Sequence, residues 1–213
     1  MPLFSRKPSG KPHASIESIS FDTTRYRFNG EANGQHIWCT PDGDGIGLSF
    51  FQVPPNLPKQ TRTTAELQEF YRRSIGNEQV KIVEFRLLKV ANVASIWMVL
   101  GIPQPSRAVT YVGSLTIPFA EFSFVIKMQC EERGTTGFRE AVLLDKALQT
   151  GAVIVDAGGN LKGDLNSDDA CHDIQFPNHP LSRLRRDFAL IIASLRIQEA
   201  TQREKRFDLP PTA

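Results

Sequence analysis

Residues 122–132 read FSFVIKMQCEE, and the alternation inside them decides the fold. Phe122, Phe124, Ile126, Met128 and Cys130 share one side, while Ser123, Val125, Lys127, Gln129 and Glu131 share the other. A period of two sends successive side chains to opposite faces of a strand, and it is hard to reconcile with a helix. The stretch predicts a strand with one face in a core.

Upstream, Val80–Val90 and Ser95–Ile102 read as a hairpin about Ala91-Asn92. Pro103-Gln104-Pro105 turns the chain into a further strand, Val109–Ile117. Consecutive strands joined by short turns predict an antiparallel meander rather than crossovers through helices. Before it comes a helix. Thr63 and Glu66 form a capping box, Leu67, Phe70, Tyr71 and Ile75 make one apolar stripe, and Glu69 stands four residues ahead of Arg73. Gly76 supplies the left-handed residue that closes it. Earlier still, Tyr26 and Phe28 lead through Asn29-Gly30 and Asn33-Gly34 to His36–Cys39, a hairpin pattern. PDGDG at 41–45 turns the chain into Ile46–Phe51, and Pro54, Pro55 and Pro58 end strand pairing because proline offers no N–H.

Downstream, Gly134-Thr135-Thr136-Gly137 opens a second helix, Phe138–Gln149, which stops at Gly151. Val153–Val155 reads as a short strand and 156–179 as an irregular acidic loop. Pro180 pre-sets the first turn of a third helix, with Leu181, Leu184, Phe188, Ile191, Ile192 and Leu195 as its buried stripe. This order of elements predicts an α+β fold, a single antiparallel β-sheet with helices packed on its faces, that is, an α/β/α sandwich. The expected organisation is a flexible N-terminal arm at 1–17, one domain at 18–198 and a C-terminal tail at 199–213.

Composition bounds the function. The chain has 213 residues, 40% hydrophobic and 23% charged, which excludes a wholly disordered chain. Lys and Arg number 25 against 23 Asp and Glu, a net charge of +2, which argues against a dedicated nucleic-acid binder. Cys39, Cys130 and Cys171 are an odd, sparse set that fits reduced thiols in a cytosolic setting. The basic start has no apolar stretch behind it, and no apolar run approaches ~20 residues, so no secretory signal and no membrane span are expected. The expectation is a soluble cytoplasmic protein.

Four patterns bear on chemistry. The Gly134–Gly137 junction, with Thr135, Thr136, Gly137 and Arg139, stands where a helix offers free N–H groups to an anion, although it lacks the lysine of a phosphate loop. The plainer reading is a tight turn with a threonine cap. Asp164, Asn166 and Asp168 have the one-three-five spacing of a calcium loop, but Asp169 replaces the glycine at position six and Gln175 the glutamate at position twelve. A solvated acidic loop is the simpler account. Cys171, His172, Asp173 and His179 carry the right atoms for zinc without paired spacing, and neighbouring Cys171 and His172 make a poor nucleophile–base pair. Arg183, Arg185 and Arg186 crowd the start of the third helix, where the macrodipole does not favour cations. Either the preceding aspartates and Asp187 pair with them, or, together with His179, they form a face for an acidic partner.

The order of elements is similar to that of the PsbP-like group, which contains the photosystem II extrinsic subunit P and a Ran-binding nuclear transport factor. The residues that carry the resemblance are the meander from Val80 to Glu132, the junction Gly134-Thr135-Thr136-Gly137-Phe138-Arg139-Glu140-Ala141, and the helix end Ile192-Ala193-Ser194-Leu195-Arg196. It extends over about residues 20–197. It implies an α/β/α sandwich with a non-catalytic, protein-contacting role and supplies no catalytic residues. The chain departs from the photosynthetic members in its start and in its acidic 156–179 loop. The expected function is therefore a non-catalytic binding or accessory protein with a protein partner and no cofactor. The alternatives are a calcium- or anion-sensing module, or an enzyme whose site is assembled from His36, Asp42, Asp44, Cys171, His172 and His179. Partner identity and oligomeric state are not encoded in these patterns.

Overall fold

A computed structural model describes residues 14–58 and 60–211. A 3-10 turn at Ile16–Ser18 leads into β1 (Ile19–Ser20), followed by β2 (Arg27–Ala32), β3 (Gln35–Cys39) and β4 (Gly45–Phe51). Then come α1 (Thr64–Ile75), β5 (Lys81–Val90), β6 (Val93–Pro103), β7 (Val109–Pro118) and β8 (Ser123–Glu131). The chain continues through α2 (Phe138–Thr150), β9 (Val153–Val155), β10 (Leu161–Gly163), α3 (Pro180–Ser194), β11 (Arg196–Ile197) and α4 (Glu199–Gln202).

Seven strands form one sheet in the order β2-β3-β4-β8-β7-β6-β5, with every neighbouring pair antiparallel. Two meanders thus meet along β4 and β8. Local chemistry makes the turns. Asn33 and Gly34 take φ of 54° and 73°, and Ala91 and Asn92 take 44° and 63°, the left-handed pair that a tight hairpin with right-twisted strands requires. Asn29-Gly30, by contrast, is not a turn: the register slips there, and the pair forms a bulge inside β2. Thr63 caps α1 by accepting the Glu66 N–H at 3.2 Å, and Gly76 closes it at φ 61°. Glu66 reaches back one residue further than a capping box asks, accepting the Arg62 N–H at 2.8 Å.

The alternation in β8 sorts the core as expected. Phe124, Ile126, Met128 and Cys130 are fully buried, while Lys127, Gln129 and Glu131 are exposed. They meet Leu181, Leu184, Phe188, Ile191 and Leu195 of α3 in one cluster with Trp97, Val99, Leu115 and Ile117. α3 approaches so closely that a Cβ on Gly113 would lie 2.8 Å from the Phe188 ring and 2.9 Å from Leu184. The opposite face carries the row Phe85–Met98–Ser114–Lys127, one register step from the row Arg86–Trp97–Leu115–Ile126. There α1 lies down, with Leu67 fully buried and the Tyr71 ring 5.6 Å from that of Phe85. Helices therefore cover both faces of the sheet.

The boundaries differ from expectation at both ends. Of the N-terminal arm, residues 1–13 lie outside the described residues. Ala14 is buried, Ile16 packs on the core, and β1 pairs with β11 through Ile19↔Ile197. Of the tail, residues 199–206 fold back onto the sheet. Thr201 is buried, the Ala120 N–H donates to the Lys205 carbonyl at 2.8 Å, and Phe119 bridges to Arg206. The 156–179 loop holds β10, paired antiparallel to β9, and a 3-10 turn at Ala170–His172. No helix among the described residues is long and apolar enough to cross a membrane.

Candidate functional site

The N-terminal end of α3 gathers a connected network of charges. Its residues are set by the helix repeat: Arg183, Arg185 and Arg186 leave the first two turns in three directions, and each meets a carboxylate from outside the helix, in the turn before β4 or on β5. Arg183 grips Asp44 with two hydrogen bonds, Nε to Oδ2 at 2.8 Å and Nη2 to Oδ1 at 2.9 Å, and adds the Glu131 carbonyl at 2.9 Å. Asp44 is only 2% exposed and also receives Arg133 at 3.2 Å. Arg185 binds Glu84, which also accepts the Trp97 indole N–H at 2.7 Å, and donates to both oxygens of Asp173. Arg186 meets Asp42 at 2.8 Å and Asp187 at 3.0 Å, and it stays half-exposed. The cations that the macrodipole disfavours are thus neutralised from within the chain. Asp173 and Asp187 are partners that the acidic run suggests. Asp44, Asp42 and Glu84 come from the sheet side. Arg183 and Arg185 have little surface left for an external acidic partner.

Asp173 joins this network to α2. Arg139, fully buried, donates through Nη1 to Asp173 Oδ1 at 3.0 Å and to Ser182 Oγ at 3.1 Å, and through Nη2 to the Asp169 carbonyl at 2.8 Å. The residue expected to bind an external anion is therefore a strut between α2, the 3-10 turn and α3. The helix start it was grouped with is also filled. The Gly137 N–H donates to Glu132 Oε1 at 2.6 Å, so the chain supplies its own anion there. The cap is Gly137, in the left-handed region, not a threonine, and Thr135 and Thr136 are exposed.

Two clefts open beside this network. The first, about 400 Å³, has Phe138, Phe176, Pro177 and Pro180 among its walls and Arg133, Gln175 and Asn178 on its rim. Phe138 is 57% exposed, and Ile174, next to the lining residue Gln175, is 87% exposed. The second, about 320 Å³, lies between β5, β7 and the starts of α2 and α3 and is lined by Val83, Val109, Tyr111, Glu140 and Asp168. Glu132 and His179 border both. His179 caps α3: its Nδ1 accepts the Leu181 N–H at 3.3 Å, and Pro180 at the next position needs no acceptor. Burial, with the Arg139 guanidinium second, pushes His179 down to about 4, so the ring is neutral at pH 7. Burial lifts the Glu140 carboxyl above its ordinary range, and Glu132 adds to the rise.

The calcium-spaced residues do not converge. Asp168 is buried and holds Lys81 at 2.5 Å and the Tyr111 hydroxyl at 3.1 Å, Asn166 accepts the Asp168 N–H at 3.3 Å, and Asp164 is exposed. The candidate acid–base and nucleophilic residues are scattered as well. His36 sits on β3 beside Glu31 at 3.2 Å and Glu17 at 3.6 Å, Asp44 is enclosed by arginines, and Asp42 pairs with Arg186. Cys171 is exposed, with its thiol held up by the hydrogen bond to Asp169. Of these residues His179 alone borders the two clefts. Among the described residues, the group of three potential ligand residues that does gather is Glu132, Glu140 and His179, their ligand atoms within 4.8 Å of one another. Glu132 and Glu140 are absent from the sequence-based candidates. Their one local signal is position, flanking the Gly134–Gly137 junction at the end of β8 and in the first turn of α2.

No family model matches the chain, and no curated protein matches it. A crystal structure of a protein from Bacteroides thetaiotaomicron VPI-5482 superposes with a TM-score of 0.36 at 10% identity, covering 57% of this chain and 41% of that one. The chain spans less than half the length of that protein, and likeness at this level carries no argument about function.

Proposed function

We propose that the chain is a non-catalytic binding protein that takes an extended segment of a protein partner in the paired clefts at the start of α3, with the contacting role that the PsbP-like resemblance implies. The observation that carries this reading is exposed apolar surface at the first cleft: Phe138 and Pro177 line it and stand in solvent, and Ile174 is exposed next to the lining residue Gln175. Such a patch, ringed by polar groups, is the form of a docking surface. The Arg139–Asp173–Arg185 chain of hydrogen bonds fixes α2, the 3-10 turn and α3 against one another. A rigid cleft lowers the ordering cost of binding. The partner segment carries an apolar side chain for the Phe138–Phe176–Pro177 cleft. The basic face foreseen at Arg183 and Arg185 is an inner brace in this reading, and the contacting surface is its apolar neighbour.

The test replaces Phe138 with 4-benzoylphenylalanine in the full chain and cross-links in the native cell. One identified partner is expected at position 138, competed away by unlabelled wild type, and absent when the probe stands at Phe51. Ile174→Asp is expected to cut the yield at least fivefold with the melting temperature unchanged. Equal yields at 138 and 51, or no product at 138, would overturn the proposal.

A further inference from the structure

The β9–β10 hairpin lies outside the seven-stranded sheet, and among the described residues its two strands pair only with each other. Of its strand residues Val153 alone is buried, while Ile154, Val155 and Leu161 are each more than half exposed. A lone two-stranded ribbon is marginal in water, and an open strand edge is a template for another chain. The outer strands of the main sheet, β2 and β5, each carry a bulge, a device that discourages edge pairing; the register of β10 is unbroken.

The backbone shows which groups of β10 are open. The Asp156 N–H donates to the Asn160 carbonyl at 2.9 Å, so Asn160 turns its peptide groups toward β9. Residues alternate in this respect along an antiparallel strand, so Leu161 and Gly163 turn theirs away, toward an edge that no other strand covers among the described residues.

That edge complements itself. Residues 160–166 read NLKGDLN, the same classes from either end: amide, leucine, charge, glycine, opposite charge, leucine, amide. We propose that β10 is a self-pairing edge through which two copies of this chain form a twofold dimer, joining their hairpins into one four-stranded antiparallel sheet with Gly163 on the axis. Gly163 faces the partner's Gly163, and Leu161 the partner's Leu165, as hydrogen-bonded pairs. Lys162 faces the partner's Asp164 in a non-hydrogen-bonded pair, where side chains stand closest. The twofold repeats each contact. Within its own chain Lys162 reaches Asp156 at 3.5 Å, an exposed pair of small worth. The cross-strand pair Val155–Leu161 gains the partner's Leu165 as a third apolar neighbour. The register is specified by charge. A slip of two residues, the nearest that keeps the outward groups paired, sets Lys162 against the partner's Lys162 or Asp164 against the partner's Asp164. Few residues take part on each side, so the dimer is weak.

Sedimentation velocity of the full chain from about 10 µM to about 1 mM tests this. The wild type is expected to pass from the mass of one chain to that of two. Gly163 offers no clean variant, because a Cβ there would lie 2.2 Å from the Ala152 carbonyl. The exposed charges do. Lys162→Asp and Asp164→Lys each set like charges across the axis, and each is expected to weaken the dimer at least fivefold. Mixed one to one, the two variants set opposite charges at both positions and are expected to pair with each other. The chain carrying both substitutions is expected to pair with itself. A wild type that stays monomeric at about 1 mM, single variants that dimerise as the wild type does, or a mixture and a double variant that both stay monomeric would overturn the proposal.

Discussion

At the scale of one residue, His179 combines three duties: it ends a loop, caps α3 and faces a cleft. Its protonation is disfavoured in the folded chain, where its pKa is about 4, against 6.5 for the unfolded reference. Between these values the unfolded state binds more protons, so folding stability rises with pH across the window. The contribution is fully present above pH 6.5 and is lost as pH falls toward 4. Its full size is about 3 kcal/mol for a shift of this magnitude. Urea denaturation at pH 7 and pH 5 is expected to show wild type losing more stability than His179→Asn. Parallel losses in the two proteins would place the pH sensitivity elsewhere.

The element that tests the electrostatic reading is α3. Arg185 on this helix and Arg203 on α4 have opposite surroundings. Arg185 is enclosed by Glu84, Asp173 and the Asp168 carbonyl, whereas Arg203 on α4 meets Glu199 at the surface with 75% of its side chain exposed. Reversing a charge inside a partly buried network leaves like charges facing one another, and Arg185→Glu is expected to cost about 3 kcal/mol. Arg203→Glu is expected to cost under ~1 kcal/mol. Chemical denaturation of the two variants reads the difference directly, and equal losses would refute the network. The same helix shows what a sequence reveals. Its apolar stripe, the alternation of β8 and the Thr63 cap of α1 are local patterns, and they were legible. The partner of Arg183 was not, because Asp44 sits 139 residues away inside PDGDG, a string that by itself says only turn. Nor were β1, β10 and β11, since two- or three-residue strands have no period to read. The candidate site fared likewise. His179 was legible as a chemically active residue, but Glu132 and Glu140 gain meaning only when the β8–α2 junction folds toward α3.

At the scale of the whole molecule, the segment after Ile197 belongs to the domain. α4 buries Thr201, and Lys205 and Arg206 complete the end of the β7–β8 hairpin at Phe119 and Ala120. Ending the chain after Gln198 is expected to destabilise it by about 1–2 kcal/mol, a fall of ~2–8 °C in melting temperature for a domain of this size. Calorimetry checks this, and an unchanged transition would show these contacts to be idle.

The join between the two meanders has a consequence for biosynthesis. β4 ends at Phe51 and its partner β8 begins at Ser123. On the ribosome the first three strands therefore emerge with the inner border of β4 bare while the next 72 residues (123 minus 51) are made. At ~5–20 residues per second that interval is roughly 4–14 s. Throughout it Ile46, Leu48 and Phe50 have β3 on one side and no strand on the other, and the nascent chain carries a sticky border that a chaperone would shield.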